Sequence, residues 1–137
     1  MSAHVVTVTE EGTEQYASAV TVEPGQIIEY RIRHRNTFEN AIDGVAIVGP
    51  VPTQAVVDPS TLATSSAAVL EVRGELDPDL PGEEWSTLPA QRIVILADGS
   101  RMIEEAQPEH FTAIRWTLSD PLQVQEQVTN TYRVRVK

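Results

Sequence analysis

The stretch Pro24-Gly25-Gln26-Ile27-Ile28-Glu29-Tyr30-Arg31-Ile32-Arg33-His34-Arg35-Asn36 decides how this chain reads. A Pro-Gly turn opens it, apolar and polar residues alternate through it, and an asparagine closes it. Alternation with period two marks a β-strand with one buried and one wet face, because successive side chains point to opposite sides. Ile28, Tyr30, Ile32 and His34 share the face expected to turn inward, with His34 partly buried and hydrogen-bonded. Glu29, Arg31, Arg33 and Arg35 share the face expected to meet water.

The same period recurs on both sides. Residues 4–9 (HVVTVT), 18–22 (SAVTV), 44–48 (GVAIV), 112–118 (TAIRWTL) and 129–136 (TNTYRVRV) read as strands. Residues 67–73 (AAVLEVR) fit strand or helix, and Gly74 and Pro78 close behind favour strand. Residues 92–96 and 100–103 flank Ala97-Asp98-Gly99, a hairpin turn because Asp-Gly tolerates positive φ. Asp58-Pro59-Ser60-Thr61-Leu62 suggests a turn, or a short helical turn capped by Ser60. Residues 75–89, with three prolines and five acids, read as a surface loop.

Seven to nine short strands with frequent turns predict an all-β fold, an antiparallel immunoglobulin-like β-sandwich. Parallel strands would need crossover helices, for which there is no pattern. Residues 1–137 are expected to form one domain, with a long loop or insertion at about 53–90. Ile28, Tyr30, Ile32, Trp116, Tyr132 and Val134 are its expected core.

A chain of 137 residues buries enough surface to fold without a staple, and it has no cysteine. That removes disulfides, a cysteine nucleophile and thiolate metal sites. A formal net charge of -10 argues against nucleic acid and anionic membrane as general partners. No apolar run approaches the roughly 20 residues of a membrane span. The opening MSAHVVTVTEEG has neither the basic nor the apolar region of a secretion leader.

Three landmarks in order carry a family resemblance: Pro24-Gly25-Gln26 before a Tyr-bearing strand ending in Asn36; residues 44–48 followed by Gly49-Pro50-Val51-Pro52; and Ile114-Arg115-Trp116 with the Pro121-Leu122 corner and the strand through Tyr132. Over residues 18–137 the chain resembles the bacterial immunoglobulin-like "conserved repeat" domain of cell-envelope proteins, domain of unknown function 11. The match is poor over 53–90. Gly49 stands where that family usually has Asp, and Val124-Gln125-Glu126 replaces its Pro-Gly corner. The resemblance implies a sandwich in the cell envelope, periplasmic or extracellular, acting as a spacer, stalk or interaction module. An envelope location also implies a leader preceding these residues. The partners implied are other envelope proteins or neighbouring domains. No catalytic residues are implied.

The candidate chemistry is sparse, and no enzyme and no cofactor is expected. Arg31, Arg33, Arg35, Arg133 and Arg135, with Arg115 if it shares their sheet, form a possible interaction face for an acidic polymer or a neighbouring domain. The plainer reading is an ion-paired wet face. Glu75, Asp77, Asp79, Glu83 and Glu84 offer hard oxygen ligands for calcium, although Pro78 and Pro81 stiffen the segment and the EF-hand pattern is absent. With Met1 removed, Ser2-Ala3-His4 would wrap Cu(II) or Ni(II) adventitiously through His4. A metal-dependent redox enzyme on this fold would need His4, His34 and His110 to converge. Trp116 is expected in the core, and Phe38 and Trp85 in loops. Lys137 is the only lysine, which argues against an internal isopeptide bond.

Overall fold

The computed structural model describes residues 1–19 and 21–137. Among them the chain forms eleven strands and one 3-10 turn: β1 (Ser2–Val8), β2 (Glu14–Ser18), β3 (Ile27–Arg35), β4 (Ala46–Pro50), β5 (Ala55–Thr64), β6 (Ala68–Gly74), β7 (Glu84–Thr87), β8 (Gln91–Ile95), β9 (Arg101–Glu105), the turn Pro108–His110, β10 (Ala113–Leu118) and β11 (Gln127–Val136). A five-stranded sheet, β2-β1-β3-β11-β5, faces a four-stranded one, β4-β10-β6-β7. Strands β3, β4, β5 and β6 alternate between the layers, and every pairing is antiparallel. This is an immunoglobulin-like sandwich. The two strands beyond the predicted nine are β5 and β7, one in each layer, and the predicted hairpin of β8 and β9 joins neither sheet.

Strand β11 shows why the layers stack. Val128, Asn130, Tyr132 and Val134 are all fully buried, while the residues between them face out. Ile28, Ile114, Trp116 and Leu118 close on them from β3 and β10, and Tyr30 and Ile32 pack half-buried against the same cluster. Tyr132 stands at the centre. Its ring stacks on Tyr30 of its own sheet at 5.1 Å and meets Trp116 of the opposite sheet at 6.0 Å between centroids. Its hydroxyl donates to the Pro50 carbonyl of β4 at 2.7 Å.

The asparagine that ends β3 is buried and spans the gap to the last corner. Asn36 Nδ2 donates to the carbonyls of Asn40 (2.9 Å) and Leu122 (3.0 Å), and Oδ1 accepts from the Phe38 amide at 2.9 Å. Its backbone amide donates to the Glu126 carbonyl, and its carbonyl accepts from the Gln125 amide. One side chain thus fixes two loops at one end of the sandwich.

Four expectations need correction. Residues 53–90 are not an insertion, since β5, β6 and β7 lie there as strands of both layers. The Asp58 turn is real but sits inside β5: Arg133 pairs with Asp58 and Thr131 with Ala63, so residues 59–62 bulge out of the ladder. Asp58 Oδ1 accepts from the Ser60 amide, and Thr61 Oγ1 accepts the Arg133 amide that the bulge would otherwise strand. The predicted strand at 18–22 lies earlier. Gly12, at φ 84°, turns the chain so that β2 pairs with β1; Val20 of that prediction falls outside the described residues. His34, on the inward side of β3, is exposed: β1 pairs with β3 only as far as Arg31, so no strand flanks His34 on the β1 side.

Candidate functional site

The arginine face begins from register. Across β3 and β11 the outward pairs are Ile27 with Arg135, Glu29 with Arg133, Arg31 with Thr131, Arg33 with Thr129 and Arg35 with Gln127. No arginine stands directly opposite another, so the like-charge penalty of a cross-strand pair is avoided. The five nevertheless do not form one patch. Arg135 lies at one end of the ladder and Arg35 at the other, eight residues of strand apart by their partners.

The middle of the face is neutralised. Glu29, which the alternation places on the wet side, is buried. Arg31 Nε donates to its Oε1 at 2.8 Å, and Arg133 Nε to its Oε2 at 3.0 Å. Arg133 reaches on to the Glu14 carboxylate of β2. The Tyr16 hydroxyl donates to Glu14 at 3.0 Å, and the Arg31 guanidinium sits 4.8 Å from the Tyr16 ring centroid. The Arg133 hydrogen bond, then that of Tyr16, holds the Glu14 carboxyl below the ordinary carboxylate range, and donation to Glu14 pushes the Tyr16 hydroxyl up. Two carboxylates, two arginines and a tyrosine satisfy one another.

The ends of the face are not neutralised. Among the described residues, Arg33, Arg35 and Arg135 have no carboxylate at ion-pairing distance. Arg33 and Arg35 are exposed neighbours on one side of β3, and the only polar side-chain contact of either is from Arg35 Nη2 to Gln127 Oε1 at 3.3 Å. Arg135 borders a cleft of about 390 Å³ that opens where β5 bulges, together with Asp58, Glu109, Arg133 and Ile27.

Arg115, a member of this face only if it shared the sheet, belongs to the other sheet. It donates to Glu71 Oε1 from Nη2 at 2.7 Å and lies 4.2 Å from the Trp85 ring centroid. Trp85 is on β7, opposite Arg73, and not in a loop as expected. Its ring is also flanked by Arg73, at 5.2 Å from the centroid. Phe38 is in a loop and 69% exposed.

The five acids do not gather. Asp79 pairs with Arg101 on β9, and Glu83 lies 3.0 Å from Arg73 Nε. Glu84 Oε2 accepts from the Leu76 amide, Asp77 Oδ1 accepts from the Asp79 amide, and Glu75 is exposed. Among the described residues no three His, Asp or Glu side chains come together as a metal site. His110 sits beside Arg92 in the loop after β9, His4 is in β1 and His34 at the exposed end of β3, so the three imidazoles do not converge. Lys137 Nζ reaches only the Thr53 carbonyl, at 3.3 Å.

Glu14 and Tyr16 are the members of the arginine network that the sequence reading missed. The Glu10-Glu11-Gly12-Thr13 turn was the available signal, since it sets β2 beside β1. Among the described residues no helix is long and apolar enough to cross a membrane. Comparison with protein-family models, with curated proteins and with solved structures finds no match.

Proposed function

We propose that this chain is a non-catalytic interaction module of a bacterial cell-envelope or secreted protein. On this reading the Arg33–Arg35 end of its five-stranded sheet docks an acidic surface polymer or the acidic face of a neighbouring domain. The observation that carries it is the contrast within one sheet face. Arg31 and Arg133 are each paired with carboxylates, whereas Arg33 and Arg35 stand exposed and unpaired on a chain of net charge -10. Guanidinium forks bind carboxylates bidentately, and an adjacent pair on a rigid strand presents two forks in fixed register.

The non-catalytic part of the reading rests on the sequence resemblance, which implies no catalytic residues. The envelope location rests on the sequence resemblance and on the sandwich it implies.

Titration of the protein with polygalacturonate at low and high salt tests the docking. Binding should weaken steeply with salt, vanish in the Arg33→Glu/Arg35→Glu variant and persist in Arg115→Glu. An absence of binding at low salt, to this polymer and to acidic envelope domains alike, would remove the reading.

A further inference from the structure

The hairpin of β8 and β9 stands apart from both sheets and exposes large apolar side chains: Ile95, Leu96, Met102 and Ile103, the last 66% exposed. Its cross-strand pairs are Gln91 with Glu105, Arg92 with Glu104, Ile93 with Ile103, Val94 with Met102 and Ile95 with Arg101. The Ile93 amide donates away from β9, to the Leu76 carbonyl at 2.8 Å. Ile93 and Ile103 are therefore the kind of antiparallel pair that exchanges no hydrogen bonds. It follows that the amides and carbonyls of Arg101, Ile103 and Glu105 point outward from the hairpin. Only the Glu105 carbonyl has a partner there, the Gln107 side-chain amide at 3.3 Å.

Such an edge is a template for another strand. Its own sequence, Arg101-Met102-Ile103-Glu104-Glu105, specifies which strand. Laid antiparallel on a copy of itself about a two-fold axis at Ile103, it sets Ile103 against Ile103. It also sets Arg101 against Glu105 of the copy, twice by symmetry. All three pairs in this register use the outward backbone groups, and all six side chains lie on one face. Arg101 is already held in place by Asp79, at 2.6 and 2.9 Å through its two terminal nitrogens, which leaves Nε for the carboxylate opposite. Among the described residues Glu105 has no ion-pair partner.

We propose that β9 is a self-recognising edge through which two copies of this chain associate, joining their hairpins into one four-stranded ribbon. The occupant is a second copy because the charges on the edge complement the same edge reversed. A register shifted by two residues would place Arg101 opposite an isoleucine or glutamine. This inference concerns a different part of the molecule from the arginine strip and stands independently of it.

Sedimentation velocity of the full chain over a concentration series tests it. A reversible dimer is expected. Glu105→Arg, which sets arginine against Arg101 at both ends, should weaken association about tenfold or more, as like charges directly opposite destabilise a pair. Ile103→Lys should abolish it. The decisive arm is Arg101→Glu combined with Glu105→Arg, made with Asp79→Asn so that the new glutamate meets no carboxylate within its own chain, which restores complementarity in reversed sense and should regain dimerisation. Amide hydrogen exchange on the unmodified chain gives a second readout that no variant's folding can confuse: Arg101, Ile103 and Glu105 should become protected as concentration rises. A chain monomeric at every concentration, or a dimer insensitive to Ile103→Lys, overturns the proposal. So does a combined variant no better than Glu105→Arg, which would mark the charges as simple protection of an edge.

Discussion

Gly49 of β4 leaves room for the ring of Tyr132 from the opposite sheet: a Cβ at residue 49 would lie 2.7 Å from Tyr132 Cε1 and 2.9 Å from Cζ. The next residue, Pro50, receives the Tyr132 hydroxyl. The two layers are thus locked at one point, by a missing side chain on one strand and a large one on the other. Gly49 has no positive φ, so close approach is what requires glycine here.

Gly49→Ala should cost about 1–3 kcal/mol, the range for overpacking a filled core, since the Tyr132 ring is held by Tyr30 and Trp116 and has little room to retreat. Tyr132→Phe keeps the ring and loses one hydrogen bond, so it should cost only about 1 kcal/mol. Urea denaturation of both variants checks the order. Equal costs would show that the contact, and not the hydroxyl, has been misjudged.

Burial first, and the neighbouring Tyr30 second, push the Tyr132 hydroxyl well above its ordinary value of 10.0. The neutral form is favoured in the folded state, so this stability is fully present below pH 10.0 and is lost as pH rises above it, where only the unfolded chain ionises. Absorbance at 295 nm during alkaline titration should show the last tyrosinate appearing together with unfolding, and Tyr132→Phe should flatten the fall in stability above pH 10.0.

Asn36→Asp replaces a single heavy atom, the amide nitrogen by oxygen, and should be more harmful than Asn36→Ala. The carboxylate oxygen replacing Nδ2 would face the carbonyls of Asn40 and Leu122 with nothing to donate. A loss of about 3 kcal/mol or more is expected near neutral pH, as for a buried charge without a partner, and acid should relieve it in part by protonating the new carboxyl. Thermal melts of the variant at pH 4 and pH 7 make the comparison.

Glu29 is nearly enclosed, at 10% side-chain exposure, but its arginine partners are 27–28% exposed, so solvent screens the pair in part. Glu29→Gln should cost about 1–2 kcal/mol, and a double-mutant cycle with Arg133→Met should return coupling of about 1 kcal/mol. The exposed Glu14 adds a small acid dependence: its depressed carboxyl stabilises the fold above its ordinary value of 4.5 and loses that contribution as pH falls through the folded value.

Asn130 is fully buried between Ile32 and Thr64 on the core side of β11, and neither its amide nitrogen nor its oxygen has a hydrogen-bond partner. An unpaired buried amide costs about 1–3 kcal/mol, so Asn130→Leu, close to it in shape, should raise stability by about that amount. A lower melting temperature in the variant would show that the amide is satisfied in solution.

The alternation in β3 and β11 was legible because it is a local consequence of the pleat: each side chain's face follows from its position in the strand. The core trio of Tyr30, Trp116 and Tyr132 followed from that parity, and Asn36 was visible as the residue where alternation stops. Strand β2 was not legible, because Glu14–Ser18 is exposed throughout and buries nothing that would leave a pattern. Strand β7 was hidden because it is four residues long and flanked by Pro81 and Pro89, and its ladder to β6 and the contacts of Trp85 with Arg73 and Arg115 are made across the sheet. Strand β5 was hidden by its own bulge.

The sequence alone determined that this chain would be an antiparallel stack of strands, which side chains of β3, β10 and β11 turn inward, and that Asp98-Gly99 would close a hairpin. These are properties of neighbours along the chain. Only the tertiary structure decided that Arg31 and Arg133 are neutralised while Arg33 and Arg35 are not. Arg31 meets Glu29 two places away on its own strand, but Arg133 depends on Glu29 and Glu14 arriving from strands distant in sequence, and such compensation is a matter of distances in space that no local pattern encodes.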